Sequence, residues 1–158
     1  MPTTVQYLQQ WLDALKQSTH ELTQTTLGLQ GCTTISRQDS LPWQNTVGAY
    51  VPCINHEHKI QLGLVTTPEG CNLLARTLLG LSEEDPLEEE DKVDAIREIV
   101  NILGGMCKTK IGGNASASSM GLPIFINGYV QLTKEQSSAS ELVALGDLHC
   151  YLIVIQGQ

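Results

Sequence analysis

The sequence predicts an α+β fold in which two long helices pack on a β-sheet, and three observations carry that prediction. Two stretches, residues 5–27 and a longer one after Asp85-Pro86, keep a helical hydrophobic period. Strand-like runs come in pairs, at 45–54 and 59–66 and again at 122–132 and 142–155. Laying residues 15–31 over 92–108, an offset of 77, places Glu21 on Glu98, Gln24 on Asn101 and Gly28 on Gly105. That internal match points to a duplicated half-domain, with pseudo-repeats at about 5–80 and 86–158 of a single domain.

Each element has a local cause. In "VQYLQQWLDALKQSTHELTQTTL" (5–27), Leu8, Leu12, Leu15, Thr19 and Leu22 mark one inward face, and Gly28 is the stop. The runs "NTVGAYVPCI" and "KIQLGLVT" are joined by "NHEH", which reads as a hairpin turn. Thr67 and Pro68 are an N-cap and first position for a second helix ending at Gly80. The acidic "LSEEDPLEEED" is a solvated connector, with Asp85-Pro86 as the cap of the third helix and carboxylates in its first turn, where the helix dipole favours them. "NASASSMG" is a small-residue loop, and "TKEQSSASE" a polar turn between the last two strand-like runs.

Composition bounds the rest. A chain of 158 residues buries about 70% of its unfolded surface. With two Trp, four Tyr and one Phe, its core must be aliphatic. A net charge of −8 without a basic cluster argues against nucleic acid as a partner. No apolar run reaches the roughly 18 residues of a membrane span, and the N-terminus lacks a signal-peptide core. The expectation is a cytoplasmic protein with no membrane contact. Cys32, Cys53, Cys71, Cys107 and Cys150 form no CxxC pair and sit in apolar contexts, which reads as buried, reduced thiols.

"KVDAIREIVNILGGMCKTKIGG" (92–113) holds the pattern that points to chemistry. At about 100° per residue, Val93, Ile96, Val100, Leu103 and Cys107 share one side of the helix. Asp94, Glu98, Asn101, Gly105 and Lys108 share the opposite side. Asn costs a helix interior a few tenths of a kcal/mol and each Gly about 1, so residues of this kind suit close approach better than helix stability. Gly104 lets the helix sit close to the sheet, and Gly105 clears the way for an incoming surface. The outward face of the first helix repeats the construction weakly, with Gln17, Glu21, Gln24 and Gly28.

Other patterns have plainer readings. "EGCN" (Glu69, Asn72) repeats the Glu-x-x-Asn spacing, but Glu69 lies in the first turn of a capped helix. His56 and His58 flank Glu57, yet two ligands do not make a zinc site. His20 reads as a solvated helix histidine and His149 as a core or edge histidine; Trp11 and Trp43 are core or interface anchors.

Glu98-x-x-Asn101 on a long helix, followed by glycines and then "KT", resembles the CheC/CheX/FliY phosphatases of bacterial chemotaxis. The order from "LGL" (79–81) through "DAIREIVNILGGMCKTKI" to "GLPIFINGYV" is similar to that of CheX, most closely over about residues 60–130. The resemblance implies a CheC-like pseudo-symmetric duplication with two long helices on one face of a sheet. It implies a substrate, the phosphorylated aspartate of a CheY-type receiver domain, with Asn101 orienting the attacking water and Glu98 pairing with the receiver's lysine. Asp94, Gly105 and Lys108 become the expected partner contacts. The chain needs no cofactor or metal of its own, since Mg²⁺ comes with the receiver. A homodimer joined through sheet edges is implied as well. The first-helix pair departs from the pattern, reading Glu21-x-x-Gln24, and is expected to be a degenerate second site.

Two rivals remain. A receiver-binding adaptor with the same fold would have lost turnover, against which stands the intact Glu98/Asn101 pair. A metal-dependent hydrolase would use His56 and His58 and be sensitive to chelators.

Overall fold

Thr3 opens the first helix, α1 (Thr4–Leu22), through a capping box: its hydroxyl accepts from the Gln6 N–H at 3.1 Å, and the Gln6 side chain accepts from the Thr3 N–H at 2.9 Å. The computed structural model describes residues 3–38, 45–54, 58–112, 119–128 and 130–157, and for 36–38 the backbone. The expected inward face of α1 is buried, and Trp11, Ala14 and Ser18 join it. Trp11 is therefore a core anchor, set edge-on to Tyr7; Trp43 lies outside the described residues.

The last turn of this helix loosens. Thr19, Thr23 and Thr25 donate their hydroxyls to the carbonyls of Leu15, His20 and Glu21 at 2.7–2.8 Å, competing with the main-chain ladder. Residues Thr23–Leu27 form a π-helical turn, and Gly28, at φ 64°, ends it in the left-handed conformation.

The remaining elements are β1 (Cys32–Gln38), β2 (Val47–Ile54), β3 (Lys59–Thr66), α2 (Pro68–Leu79), α3 (Glu89–Ile111), β4 (Ser119–Met120), β5 (Ile124–Asn127), β6 (Ser137–Leu145) and β7 (Leu148–Gly157). Thr67 caps α2 by accepting from the Gly70 N–H at 3.1 Å, and Gly80 closes it at φ 69°, as the sequence predicts. The start of α3 differs. Glu88, not Asp85, precedes its first turn, because the Asp85 carboxylate instead accepts the Ser82 N–H at 2.8 Å and closes the connector on itself. Glu89, Glu90 and Asp91 occupy the positive end of the α3 dipole, and Lys108 and Lys110 its negative end.

Among the described residues, three α-helices pack on one seven-stranded antiparallel sheet. Its order is β1-β6-β7-β3-β2-β4, with β5 also pairing with β2. The path from β1 to β5 reads the same from either end when β1, β2 and β3 are exchanged with β5, β6 and β7. Each half thus lends its first strand to the other half's hairpin: β1 pairs with β6, and β5 with β2.

Nothing in the sequence signals β1, and the single run expected over 142–155 is in fact two strands: β6 starts at Ser137, inside the expected polar turn, and the chain reverses at Gly146-Asp147 into β7. The strand expected over 122–132 shortens to β5. Antiparallel pairing of Ile54 with Lys59 brackets the expected "NHEH" turn, of which residues 55–57 lie outside the described ones, as do Gly113 and most of the small-residue loop.

Two apolar layers result. The larger, of Leu, Ile, Val and Cys side chains with Trp11, fills the space between the helices and the sheet. Tyr50, Val65, Tyr151, Ile153 and Ile155 form a smaller cluster, with Val130 and Leu132 packed against it. On α3 the buried stripe is Ala95, Ile96, Ile99, Val100, Leu103, Gly104 and Cys107, and Val93 is half-buried at its edge.

Gly104 explains how α3 sits so close. A Cβ there would lie 2.8 Å from Met120 Cε and 3.0 Å from Val51 Cγ1, closer than carbon atoms pack. The glycine lets the helix rest directly on β2.

Candidate functional site

The outward stripe of α3 stands where its period places it. Asp94, Glu98 and Asn101 are exposed, while Gly105 and Lys108 are half-buried. Among the described residues nothing lies within 4 Å of the position a Gly105 Cβ would take, so bare helix backbone faces outward beside Asn101. Glu98 and Asn101 are three residues apart in regular α-helix, which sets their side chains side by side. Among the described residues, neither side chain has a hydrogen bond or ion pair. An exposed carboxylate and an exposed carboxamide, both uncommitted, are thus available to a partner.

These residues line an open hollow of about 440 Å³, whose opposite wall is the segment Met120 to Pro123 leading into β5. Arg97 joins the two walls: its Nε donates to the Pro123 carbonyl at 3.1 Å, and its Nη1 lies 3.5 Å from Asp94 Oδ1. Asp94 is therefore partly engaged by its own helix neighbour.

A second hollow of about 480 Å³ lies on α1, lined by Asp13, Lys16, Gln17, His20, Glu21 and Cys32. Three of these residues, Gln17, His20 and Glu21, precede Asp94, Arg97 and Glu98 of the first hollow by the same 77 positions. The correspondence stops at the carboxamide. Asn101 lines its hollow, whereas Gln24 does not line this one and lies in the π-helical turn. Glu21 differs as well, since Lys110 of α3 holds it in an ion pair at 2.7 Å.

His20 is not the solvated histidine that sequence suggests. It is half-buried, and its Nδ1 accepts the Cys32 N–H at 3.0 Å, tying α1 to β1 as Arg97 ties α3 to the segment before β5. His149 is exposed, so it is neither a core nor an edge histidine: β7 is an interior strand, and the side chain alternates outward near its start. His58 stacks on Tyr7, ring centroids 4.2 Å apart, with its Nδ1 3.2 Å from Gln156 Nε2; His56 and Glu57 lie outside the described residues. Among the described residues no three His, Cys, Asp or Glu side chains gather in a way that could hold a metal ion. Glu69 and Asn72 are exposed on α2, with Glu69 in its first turn.

All five cysteines are buried and unpaired. Burial pushes the Cys32 and Cys53 thiols up to about 11, against the pull of Lys16 and Lys108 respectively, and Cys71 and Cys107 up to about 12. Such thiols stay protonated at neutral pH and are poor nucleophiles.

The family model for the chemotaxis phosphatase CheX matches residues 53–145, more than half of the chain and all of the α3 stripe. No curated protein matches the chain. Solved structures share its fold: a chemotaxis protein CheX from Vibrio vulnificus aligns over 92% of this chain and 97% of its own, with a TM-score of 0.73 at 15% identity. A CheX from Desulfovibrio desulfuricans aligns over 94% and 99%, with a TM-score of 0.74 at 12% identity. The structure of a CheX–CheY–BeF3–Mg²⁺ complex from Borrelia burgdorferi aligns over 96% and 98%, with a TM-score of 0.67 at 17% identity. Among the described residues, no helix is long and apolar enough to cross a membrane. With the family model matched across α3 and the fold shared over nearly the whole length, this chain belongs to the chemotaxis phosphatase CheX family.

Proposed function

We propose that this protein hydrolyses the aspartyl phosphate of a CheY-type receiver domain, with Asn101 orienting the attacking water and Glu98 anchoring the partner. The observation that carries this reading is the uncommitted Glu98/Asn101 pair on one exposed turn of α3, with bare backbone at Gly105 beside it. Membership of the CheX family and the likeness to a CheX complexed with CheY, BeF3 and Mg²⁺ support it.

The chemistry fits the residues. Water attacks phosphorus, the bond from phosphorus to the aspartyl oxygen breaks, and the carboxylate leaves with the electron pair. Both protons of the water end on the released phosphate. Such a transfer needs an in-line nucleophile and charge neutralisation more than covalent help. The receiver's Mg²⁺ and lysine supply the charge. A carboxamide supplies the position, since it both donates and accepts hydrogen bonds while staying neutral. A carboxylate at 101 would repel the phosphoryl oxygens. Glu98, one turn earlier, has its charge free for the receiver's lysine, and docking thereby fixes the register of Asn101. Asp94, Gly105 and Lys108 flank that contact.

The test is loss of phosphoryl label from a phosphorylated CheY-type receiver. The wild type should accelerate loss, and Asn101→Ala should reduce kcat by roughly a hundredfold or more, the scale of losing a positioned nucleophile. Binding that persists without acceleration by the wild type would instead make the chain a receiver-binding adaptor.

A further inference from the structure

We infer that Leu122 is the apolar anchor by which this chain recognises its receiver and that Arg97 is the positioning residue that holds it there, an inference resting on the receiver-phosphatase reading. Leu122 is 82% exposed, the most exposed large hydrophobic side chain among the described residues. Single exposed leucines are common on protein surfaces. This one is different in being pinned on both sides: the Gly121 N–H donates to the Pro52 carbonyl at 3.0 Å, and the Pro123 carbonyl accepts from Arg97 at 3.1 Å. Gly121 lies flat on β2, where a Cβ would come 2.5 Å from Pro52 Cγ. The backbone is thus tied down immediately before and after a side chain that is left in solvent.

Its place decides what it meets. Leu122 lines the same hollow as Glu98 and Asn101, with the half-buried Met120 behind it. Ile124, two residues on, pairs with Tyr50, whose side chain belongs to the cluster away from the helices, so it does not extend the wall. The α3 stripe alone presents carboxylates, a carboxamide and a bare glycine, which set chemistry and register but bury little apolar surface. Binding energy in protein interfaces concentrates in a few residues that become fully desolvated near the centre of the contact; Leu122 carries that role by its place beside Glu98 and Asn101, not by its residue type. The matching face on the partner carries a cation opposite Glu98, the phosphorylated carboxylate opposite Asn101, and an apolar side chain next to them.

Arg97 acts through the backbone. By holding the Pro123 carbonyl it keeps Leu122 at a set distance from the helix turn that bears Glu98 and Asn101. Removing it should loosen docking without touching the chemical step.

The test measures Kd for a receiver loaded with Mg²⁺ and BeF3, and KM and kcat for the phosphorylated receiver, in wild type, Leu122→Ser, Leu122→Met and Arg97→Gln. Leu122→Ser should raise both Kd and KM by roughly tenfold or more with kcat at saturation within about twofold, and Leu122→Met should recover most of the loss. Arg97→Gln should likewise raise Kd and KM with kcat at saturation held, and combined with Leu122→Ser it should add little, because both act through one contact. Unchanged Kd in Leu122→Ser would overturn the proposal while the phosphatase reading stood. A wild type that binds the loaded receiver without turnover would remove that reading's chemistry and still judge the docking contact by Kd. A wild type that binds no receiver would overturn both.

Discussion

A methyl group added at Gly104 meets the fully buried Val51 Cγ1 at 3.0 Å and the unbranched end of the Met120 side chain at 2.8 Å; one added at Gly105 meets nothing within 4 Å among the described residues. Alanine gains about 1 kcal/mol over glycine in a helix interior. At Gly105 that gain is unopposed, so Gly105→Ala should raise Tm by roughly 3 °C, the shift that 1 kcal/mol produces in a domain of this size. At Gly104 it is offset by overpacking, which costs about 1–3 kcal/mol in a well-filled core. Met120 can swing aside but Val51 cannot, so Gly104→Ala should be net destabilising by about 1 kcal/mol. Thermal melts of the two variants would decide: equal shifts, or a stabilising Gly104→Ala, would mean α3 is not held off a larger residue by β2. The two adjacent glycines were legible in sequence as close approach on both sides, because helical phase alone assigns one to each face.

The two long helices show where such phase arguments end. Periodicity set out the α3 stripe residue by residue, and the structure exposes Asp94, Glu98 and Asn101 together. It could not foresee that Lys110 reaches across to Glu21 or that Arg97 reaches Pro123, since both contacts join segments far apart in the chain. Nor did it foresee β1: "CTTISRQ" has no clean alternation, and its register shifts between Thr34 and Ser36, so only pairing with β6 makes it a strand. A signal for the loosened end of α1 was present in its threonines, whose hydroxyls take the carbonyls of the preceding turn. That turn bears on the degenerate site. With Glu21 engaged by Lys110 and Gln24 off the hollow, shortening the carboxamide is not enough to restore a water-positioning pair. The double variant Asn101→Ala/Gln24→Asn is therefore expected to hydrolyse receiver phosphate no faster than Asn101→Ala alone. Recovery of turnover in that variant would show the α1 face to be competent after all.

Across the whole molecule, the shortage of aromatic residues led to an aliphatic core, and the structure adds that this core also shelters five thiols from both halves of the chain. Their titration couples to folding with a definite sign. In the unfolded chain each thiol ionises near the ordinary value of 9.0, whereas burial holds Cys32 and Cys53 at about 11, Cys71 and Cys107 at about 12, and Cys150 higher still. Below 9 both states keep the protons and stability is unaffected by them. Above it the unfolded state binds fewer protons than the native one, so stability falls as pH rises, until the native thiols ionise too. Each thiol contributes a slope of about 1.4 kcal/mol per pH unit in that window, and five acting together approach 7 kcal/mol per unit. The fold, stable by about 5–15 kcal/mol, should therefore lose stability progressively as pH rises above 9. Urea titrations between pH 7 and 11 would show a plateau followed by a steep fall, and Cys150→Ala should make that fall shallower by about one proton. A flat profile through pH 10.5 would mean that the thiols ionise in the folded chain and that the sheet is open to solvent where the helices cover it.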